Sequence, residues 1–283
     1  MICNGDARLC DRKYSDVVFV GTHNSYALDG AGGLPGLANA ASNQFINVPA
    51  QLGMGIRFLQ SQTHVKDDSL HVCHTSCDLY DGGSLEDYLK SVSAFLNDDA
   101  NKNEVVTLLI TNPENYPIEK WADIFKAASL DSLVYNPSSV PGTRADWPTM
   151  RELISANTRV VVLMDYNADT TKVPWILPEF DLMWESKFDE VDASFPCGVD
   201  RVNGDAGPKL GMSLINHYLD SEFLGILIPD RNAAPTTNSV DSIAAQVNNC
   251  AALGEAFKVT HVLLDWADKG QAIEAGRKLN GLE

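Results

Sequence analysis

Runs of buried-type residues alternate along this chain with stretches whose apolar positions recur at helical spacing. The runs are rich in β-branched, aliphatic and aromatic residues, and most of them end in polar side chains. Eight runs are candidate strands: VVFVGTH (17–23), IRFLQSQTH (56–64), VVTLLITN (105–112), the weaker LVY (133–135), RVVVLMDY (159–166), FDLMWES (180–186), MSLINHYL (212–219) and HVLLDWA (261–267).

Amphipathic helices are predicted between several of these runs. In SLEDYLKSVSAFLN the apolar positions recur every three or four residues, and EKWADIFKAA precedes the LVY run. This alternation is typical of a parallel sheet covered by helices. Eight strands suit an α/β fold of the closed (β/α)₈ TIM-barrel type, which takes about 250 residues. The alternative is an open doubly wound sheet, whose nucleotide-binding form needs a glycine-rich turn that GTHNSY does not provide.

The sequence predicts one domain spanning residues 1–283, because it shows no composition break, low-complexity tract or internal repeat. Catalytic residues of a TIM barrel lie at the C-terminal ends of its strands. The predicted strand ends here are unusually polar, with His23, Asn24, Gln60, Gln62, Asn112, Asp165, Glu185, Asn216, His217 and Asp265. A purely structural barrel would not need so many polar ends, so we expect an active site there.

The charge of the chain narrows the choice of partners. A formal net charge of −17 and a pI near 4.6 disfavour nucleic acid and strongly anionic membranes, because like charges repel. No apolar run reaches the eighteen or so residues of a membrane span, and MICNGDARLC lacks the regions of a signal peptide. We expect the chain as given to be soluble and monomeric.

The six cysteines can pair by proximity in the sequence. Cys3 pairs with Cys10 and Cys73 with Cys77, which leaves Cys197 for Cys250. An even count suits an oxidising compartment. The alternative is a metal cluster in HVCHTSC, formed by His71, Cys73, His74 and Cys77. Structural zinc sites usually take their ligands from two separated pairs, and no second pair stands at a suitable spacing, so we favour three disulfides.

Three motifs in this order resemble a known enzyme family. GTHNSY (21–26), QLGMGIRFLQSQTH (51–64) and LHVCHTSC (70–77) resemble the X region of phosphatidylinositol-specific phospholipases C. The resemblance is strong to secreted fungal phospholipase C-like phosphodiesterases, which also begin with a CNG…C segment and carry segments similar to VVVLMDYNAD and GILIPDR. It covers almost the whole chain and implies a secreted protein, with a cell-surface anchor in a longer precursor left open.

The resemblance implies a role for each matching residue. His23 would be the general base that takes a proton from the attacking hydroxyl, and His74 the general acid that protonates the leaving oxygen. Arg57 would stabilise charge on the phosphate, unless it is a rim ion pair. Asp265 follows from the barrel itself, because the last strand pairs with the first and a carboxylate there could orient His23. The alternative for Asp265 is a structural cap to a neighbouring loop.

The sequence also departs from the family pattern. Metal-dependent relatives carry acidic calcium ligands where this chain has Gln60, Gln62 and Asn112, and neutral amides are poor substitutes. We therefore expect no catalytic metal and no cofactor, with Arg57 taking the place of the metal. The bacterial pattern has aspartate directly after the first histidine, where this chain has Asn24.

The substrate implied by the resemblance is a phosphodiester that is cut by its own neighbouring hydroxyl to give a cyclic phosphate. A small-molecule, lipid-headgroup or glycan-linked phosphodiester fits the charge of the chain better than a phosphatidylinositol bilayer. The candidate substrate contacts are Asn24, Gln60, Gln62, Asn112, Asp165, Trp184 and His217, whereas His64 and His71 read as surface or turn histidines. Two alternatives remain: a glycoside hydrolase using two of Asp165, Glu185 and Asp265, and a carbohydrate- or partner-binding barrel without turnover.

Overall fold

One parallel sheet organises the computed structural model, which describes residues 1–31, 41–204 and 211–283. In this part of the chain eight strands form the sheet: β1 (Phe19–Thr22), β2 (Phe58–Ser61), β3 (Val106–Ile110), β4 (Val160–Met164), β5 (Ile176–Pro178), β6 (Met183–Glu185), β7 (Met212–Asn216) and β8 (His261–Leu264). Seven predicted runs are confirmed as sheet strands. The LVY run is not one, since Val134 makes only an isolated bridge to Val160. The missed strand is Ile176–Pro178, which is too short to show a pattern.

The strands follow each other in barrel order, β5-β4-β3-β2-β1-β8-β7-β6, and all neighbours are parallel. The first and last strands pair as predicted, with Phe19 opposite His261 and Thr22 opposite Leu264. The predicted closure is wrong at one place, because β5 and β6 form no ladder in the described residues. A parallel crossover needs a dozen or more residues. Only the four-residue helix Glu179–Leu182 separates these strands.

Helices follow most of the strands. In the described ranges they are α1 (Val48–Met54), α2 (Leu85–Leu96), α3 (Glu119–Ala127), α4 (Met150–Ser155), α5 (Glu179–Leu182), α6 (Ala234–Thr237), α7 (Val240–Ala251) and α8 (Ala272–Leu279), with short 3₁₀ turns at Ala7–Leu9, Tyr14–Asp16, Asp99–Asn101, Asp131–Leu133, Arg144–Asp146 and Glu255–Phe257. The helix predicted in SLEDYLKSVSAFLN is α2. It starts at the predicted place because the Ser84 side chain accepts a hydrogen bond from the Asp87 backbone N–H.

Both faces of the sheet are buried, as a parallel sheet requires. Outward residues such as Leu59, Leu108 and Val262 pack with the helices in one apolar cluster. Inward residues such as Phe58 and Leu163 belong to a second cluster that fills the interior of the sheet. This alternation fixes which strand residues face the interior, and therefore which polar residues at the strand ends can share a site.

Two small antiparallel sheets extend from the strand ends. Thr63–Lys66, Ser69–Cys73 and Asp81–Ser84 form the first, directly after β2; we call it the histidine hairpin because it carries His64 opposite His71. Asp220–Phe223 and Ile226–Pro229 form the second, after β7.

All six cysteines lie in the described residues and form three disulfides. Cys3 is bonded to Cys10, Cys73 to Cys77 and Cys197 to Cys250, which confirms the predicted pairing. The alternative metal cluster in HVCHTSC is therefore wrong, because both of its sulfurs are used in a disulfide. Of the helices in the described ranges, none is long and apolar enough to cross a membrane.

Candidate active site

A buried histidine–aspartate pair marks the point where β1 and β8 end side by side. His23 follows β1, and its Nδ1 lies 2.9 Å from Oδ1 of Asp265, which follows β8. The side chains are only 13% and 4% exposed. A carboxylate can only accept a hydrogen bond, so Nδ1 donates, and in the neutral imidazole Nε2 is then the acceptor. The pairing of the first and last strands thus brings together residues that are 242 positions apart, as the sequence predicted.

Two residues that the sequence analysis missed hold this pair in place. Asn43 donates from Nδ2 to the second oxygen of Asp265 at 2.9 Å. The Tyr218 ring stacks on the His23 ring with centroids 4.1 Å apart and an interplanar angle of 3°. Asn43 lies in a loop and Tyr218 beyond the end of β7, where no motif marks either of them. The imidazole is thus held by a carboxylate at one nitrogen and by an aromatic ring on one face.

His74 lies beside this pair. Its ring centroid is 6.3 Å from that of His23, and the two rings are nearly perpendicular at 78°. Its Nδ1 donates to the carbonyl oxygen of Ala41 at 2.7 Å, which leaves Nε2 for another partner. Burial lowers the pKa of His74 below its ordinary value of 6.5, and the neighbouring His23 lowers it further, although the bond to Ala41 opposes this.

A cavity of about 240 Å³ opens next to His23 at the C-terminal ends of the strands. Three of the predicted substrate contacts line it: Gln60, Gln62 and Asp165. Asn24 does not line it, but its side-chain amide is 3.1 Å from His23 Nε2. A substrate hydroxyl that is to use this nitrogen must displace the Asn24 amide.

The wall of the cavity away from the histidines is acidic. Burial raises the pKa of Asp165 to about 6. Glu179 is fully buried, and its pKa is raised well above the ordinary value by burial and by the adjacent Glu185. The Arg201 guanidinium is paired with Glu185. Glu179 and Arg201 come from segments without a predictive pattern, and the sequence analysis did not select them.

Three other predicted contacts lie outside the cavity lining, so the structure does not bring them together with His23. Asn112 uses both ends of its amide on the backbone of Tyr116, which closes its own loop. Trp184 is fully buried and packs against Phe257. His217 is held by Gln246 and by the carbonyl of Thr237 in the helix layer.

Arg57 also lies away from the site in which its motif predicts it. It precedes β2, so the rise of about 3.3 Å per residue puts its backbone roughly 16 Å from that of Gln62 at the other end of the strand. Its Nε donates to Glu104 at 2.7 Å, and Nη1 donates to the carbonyls of Leu52 and Ile56. The guanidinium also lies 4.7 Å from the centre of the Phe95 ring. These contacts are structural ones, and they lie at the opposite end of the strands from the cavity.

Replacing Arg57 by lysine is expected to lower stability and to leave turnover unchanged. An ammonium cannot reach Glu104 and both carbonyls together, so we expect the free energy of unfolding to fall by about 1–3 kcal/mol. Denaturant unfolding and the activity of the folded protein are measured side by side. A large loss of turnover at unchanged stability would indicate instead that Arg57 stabilises the charge on the phosphate.

Gln60 and Gln62 stand where metal-dependent relatives carry acidic calcium ligands, but their side chains do not fit a metal ion. The side-chain oxygen of Gln60 accepts from the Asn24 backbone N–H at 2.7 Å, and that of Gln62 accepts from the Thr75 N–H at 2.9 Å. Both amides therefore turn their NH₂ groups toward any remaining partner, and these donors repel a cation. A group of His71, Cys73 and Asp81 lies within ligand distance elsewhere, but the sulfur of Cys73 is in a disulfide.

Comparison with known proteins agrees with this architecture. The family model described as PI-PLC X 1 matches residues 9–280. The chain is 42% identical over 288 positions to "PI-PLC X domain-containing protein 1" of Arthroderma benhamiae, covering 100% of this chain and 90% of that protein. It is 38% identical over 257 positions to an "Uncharacterized secreted protein" of the same organism, covering 88% of this chain and 56% of that protein.

Solved structures support the same fold. The phosphatidylinositol-specific phospholipase C of Listeria monocytogenes matches with a TM-score of 0.63 at 14% identity, covering 95% of both chains. A variant of the Staphylococcus aureus enzyme matches with a TM-score of 0.63 at 15% identity, covering 97% of this chain and 94% of that one. At such low identity these structures establish the fold alone. The family is shown by the match over residues 9–280 and by the relative that is 42% identical: the chain belongs to the PI-PLC X family.

Proposed function

We propose that the protein is a metal-independent phosphodiesterase of the phospholipase C type that works with two histidines. The observation that supports this most directly is the His23–Asp265 pair with the His74 ring centroid 6.3 Å from that of His23. His23 lines the cavity, and His74 lies next to it outside the lining. One imidazole is oriented by a carboxylate, as a general base requires, and the other has a free Nε2. The family of the chain makes a phosphodiester the first candidate substrate.

The proposed reaction is an attack by a hydroxyl of the substrate on its own phosphorus atom. The hydroxyl displaces the Asn24 amide from His23 Nε2, which then removes its proton, while Asp265 stabilises the imidazolium that forms. The new P–O bond closes a cyclic phosphate as the bond to the leaving oxygen breaks. His74 Nε2–H gives its proton to that oxygen, which departs as an alcohol. One proton is taken and one is given, so no outside reactant is needed.

The proposed substrate is a small soluble, lipid-headgroup or glycan-linked phosphodiester with a neighbouring hydroxyl. A cavity of about 240 Å³ has room for a headgroup-sized molecule. An extracellular location is part of the same proposal. It is supported by three disulfides and by the word "secreted" in the name of one relative.

The glycoside hydrolase alternative has less support. It would use two of Asp165, Glu185 and Asp265 as acid and base. Asp265 is bonded to His23 and Asn43, and Glu185 is paired with Arg201. Asp165 accepts from the backbone N–H groups of Asn112 and Tyr166, so each of the three carboxyl groups already has a protein partner.

The proposed function is tested with a panel of synthetic substrates. We expect cleavage of a 2-hydroxyalkyl 4-nitrophenyl phosphate, with a cyclic phosphate detected by phosphorus NMR, and no cleavage of aryl glycosides. Rates within a factor of about two before and after EDTA treatment would support a metal-independent site. Glycoside cleavage, a requirement for added calcium, or binding without turnover would each contradict the proposal.

Replacing Asn43 by alanine is expected to lower kcat by about ten- to a hundredfold with little change in KM. The reason is that Asp265 loses a charge-assisted hydrogen bond at its second oxygen and no longer holds His23 in one orientation. Asn280→Ala is the matched control, since Asn280 is a buried asparagine that bonds only to the Val18 and Gly276 backbone. Equal turnover in the two variants would remove Asn43 from the catalytic arrangement.

A further inference from the structure

The phosphate of a phosphodiester is negatively charged and needs positively charged side chains to bind it. The cavity lining contains few of them. Among the described residues that line the cavity, Arg201 is the one lysine or arginine. Its guanidinium is already paired with Glu185, on the acidic wall. Arg57 lies outside the cavity lining and is bound to Glu104. A negatively charged phosphate therefore needs another cationic partner on the histidine side of the cavity.

His64 lies where such a partner is needed. The side chains of Gln60, Gln62 and His64 line the cavity at every second position as the chain runs from β2 into the histidine hairpin. The His64 side chain is only 15% exposed. Its position in the cavity lining corrects the sequence-based interpretation of a plain surface or turn histidine.

Glu114 fixes the His64 ring. Oε1 of Glu114 lies 2.8 Å from His64 Nδ1, and Oε2 accepts from the Val65 backbone N–H at 2.8 Å. Both carboxylate oxygens are therefore in use, and the ring is held with Nδ1 as the donor. The other ring nitrogen, Nε2, then remains to meet a ligand, and a protonated ring donates from it as a cation.

Two neighbours agree with an anion at this place. Gln62 accepts from Thr75 through its oxygen, so its NH₂ group is what it can offer to a ligand. His64 is also close enough to His74 that charge on one ring disfavours charge on the other. A phosphate placed among these side chains would accept hydrogen bonds and relieve the repulsion between the rings.

We propose that His64, held by Glu114, is a phosphate-binding residue that donates from Nε2 to a non-bridging oxygen of the substrate. The inference rests on the proposed function, because it takes the phosphodiester group as the ligand. It gives His64 the role that the sequence analysis assigned to Arg57. His64 transfers no proton in the reaction; it stabilises the phosphate charge while His23 and His74 do the acid–base chemistry.

The test uses inorganic phosphate as the probe and compares two histidine variants of the same hairpin. His64→Gln removes the proposed cation. His71→Gln is the matched control, because His71 is opposite His64, is paired with Asp81 at 3.0 Å and does not line the cavity. At pH 6 we expect phosphate binding, measured by calorimetry, to weaken about tenfold or more in His64→Gln and to be unchanged in His71→Gln. In the wild-type protein, phosphate should shift the imidazole NMR signal of His64.

The outcomes separate this inference from the proposed function. Equal phosphate affinity in both variants, or a His64 signal that phosphate does not move, overturns the role of His64 even if the enzyme cleaves phosphodiesters. Phosphate binding that depends on His64, in a protein that cleaves no phosphodiester, supports the anion site and rejects the proposed function. Thermal unfolding of both variants shows whether a weaker affinity reflects a damaged hairpin, and Glu114→Gln, which keeps the acceptor but removes the charge, should reproduce part of the loss.

Discussion

Replacing His23 by alanine is expected to lower turnover by about 10²- to 10⁴-fold for every phosphodiester substrate, whatever its leaving group. The attacking hydroxyl must lose its proton in each case, and His23, oriented by Asp265 at its Nδ1, is the proposed base. Substrate affinity should change little, because the base contacts only the reacting hydroxyl. Turnover is measured for a nitrophenyl diester and for an alkyl diester that carry the same nucleophilic hydroxyl.

His217→Gln is the control for this variant. His217 also follows the end of a strand and is buried, but its ring bonds to Gln246 and Thr237 in the helix layer. We expect this substitution to reduce stability and to leave the turnover of the folded protein unchanged. If His23→Ala retains turnover, or if both histidine variants lose it equally, His23 is not the base.

The strand pattern predicted most of the architecture because burial on both faces of a parallel sheet leaves long apolar runs in the sequence. Seven of the eight predicted runs are strands in the described part of the chain. The sheet strand that the pattern did not predict is β5 (Ile176–Pro178). It has only three residues, and its last residue, Pro178, directly precedes α5. No periodicity can be measured over so short a segment. In the described residues β5 and β6 do not pair, and only the four-residue helix α5 connects them.

The errors among the predicted contacts follow from the alternation of side chains along a strand. Asn216 and Tyr218 line the cavity, and His217 between them points into the helix layer. Glu185 lines the cavity, and Trp184 before it packs outward. Chemical type alone favours His217 and Trp184 as site residues. Counting every second residue from the strand end would have selected their neighbours.

Other site residues could not be found from the strand pattern at all. Asn43 and Arg201 lie outside the sheet strands. They reach the site because their loops fold back over the strand ends. Arg57 shows the opposite case, since its motif suggested catalysis but its position before β2 places it at the other end of the sheet. A residue's place relative to the strand therefore decides its role before its chemical type does.

The surroundings of His23 and His74 differ in a way that bears on which of them is the base and which is the acid. His23 has a carboxylate at Nδ1, which stabilises a positive ring, whereas His74 has only the neutral carbonyl of Ala41 there. A base must become a cation during the reaction, and Asp265 stabilises that cation. An acid must give up its proton readily, and burial lowers the pKa of His74 in that direction. This difference supports the proposed roles of His23 as the base and His74 as the acid.

His74→Ala should therefore depend strongly on the leaving group. An alkoxide needs a proton as it departs, so turnover of an alkyl diester should fall by about 10²- to 10⁴-fold. A nitrophenolate departs readily without a proton, and the corresponding loss should stay below about tenfold. The nitrophenyl substrate is also the internal control, because a misfolded variant would lose activity with both substrates.

The pH profile gives an independent check of the same assignment. A general acid is active only while protonated, so its contribution is present at pH values below its pKa and is lost as the pH rises through that value. Burial lowers the pKa of His74 below 6.5, so kcat/KM of the wild-type enzyme on the alkyl diester should decrease as the pH rises, and it should do so already below neutral pH. This decrease is the alkaline limb of the profile. The limb should be missing in His74→Ala. If the variant keeps the limb, or responds equally to both leaving groups, another residue is the proton donor.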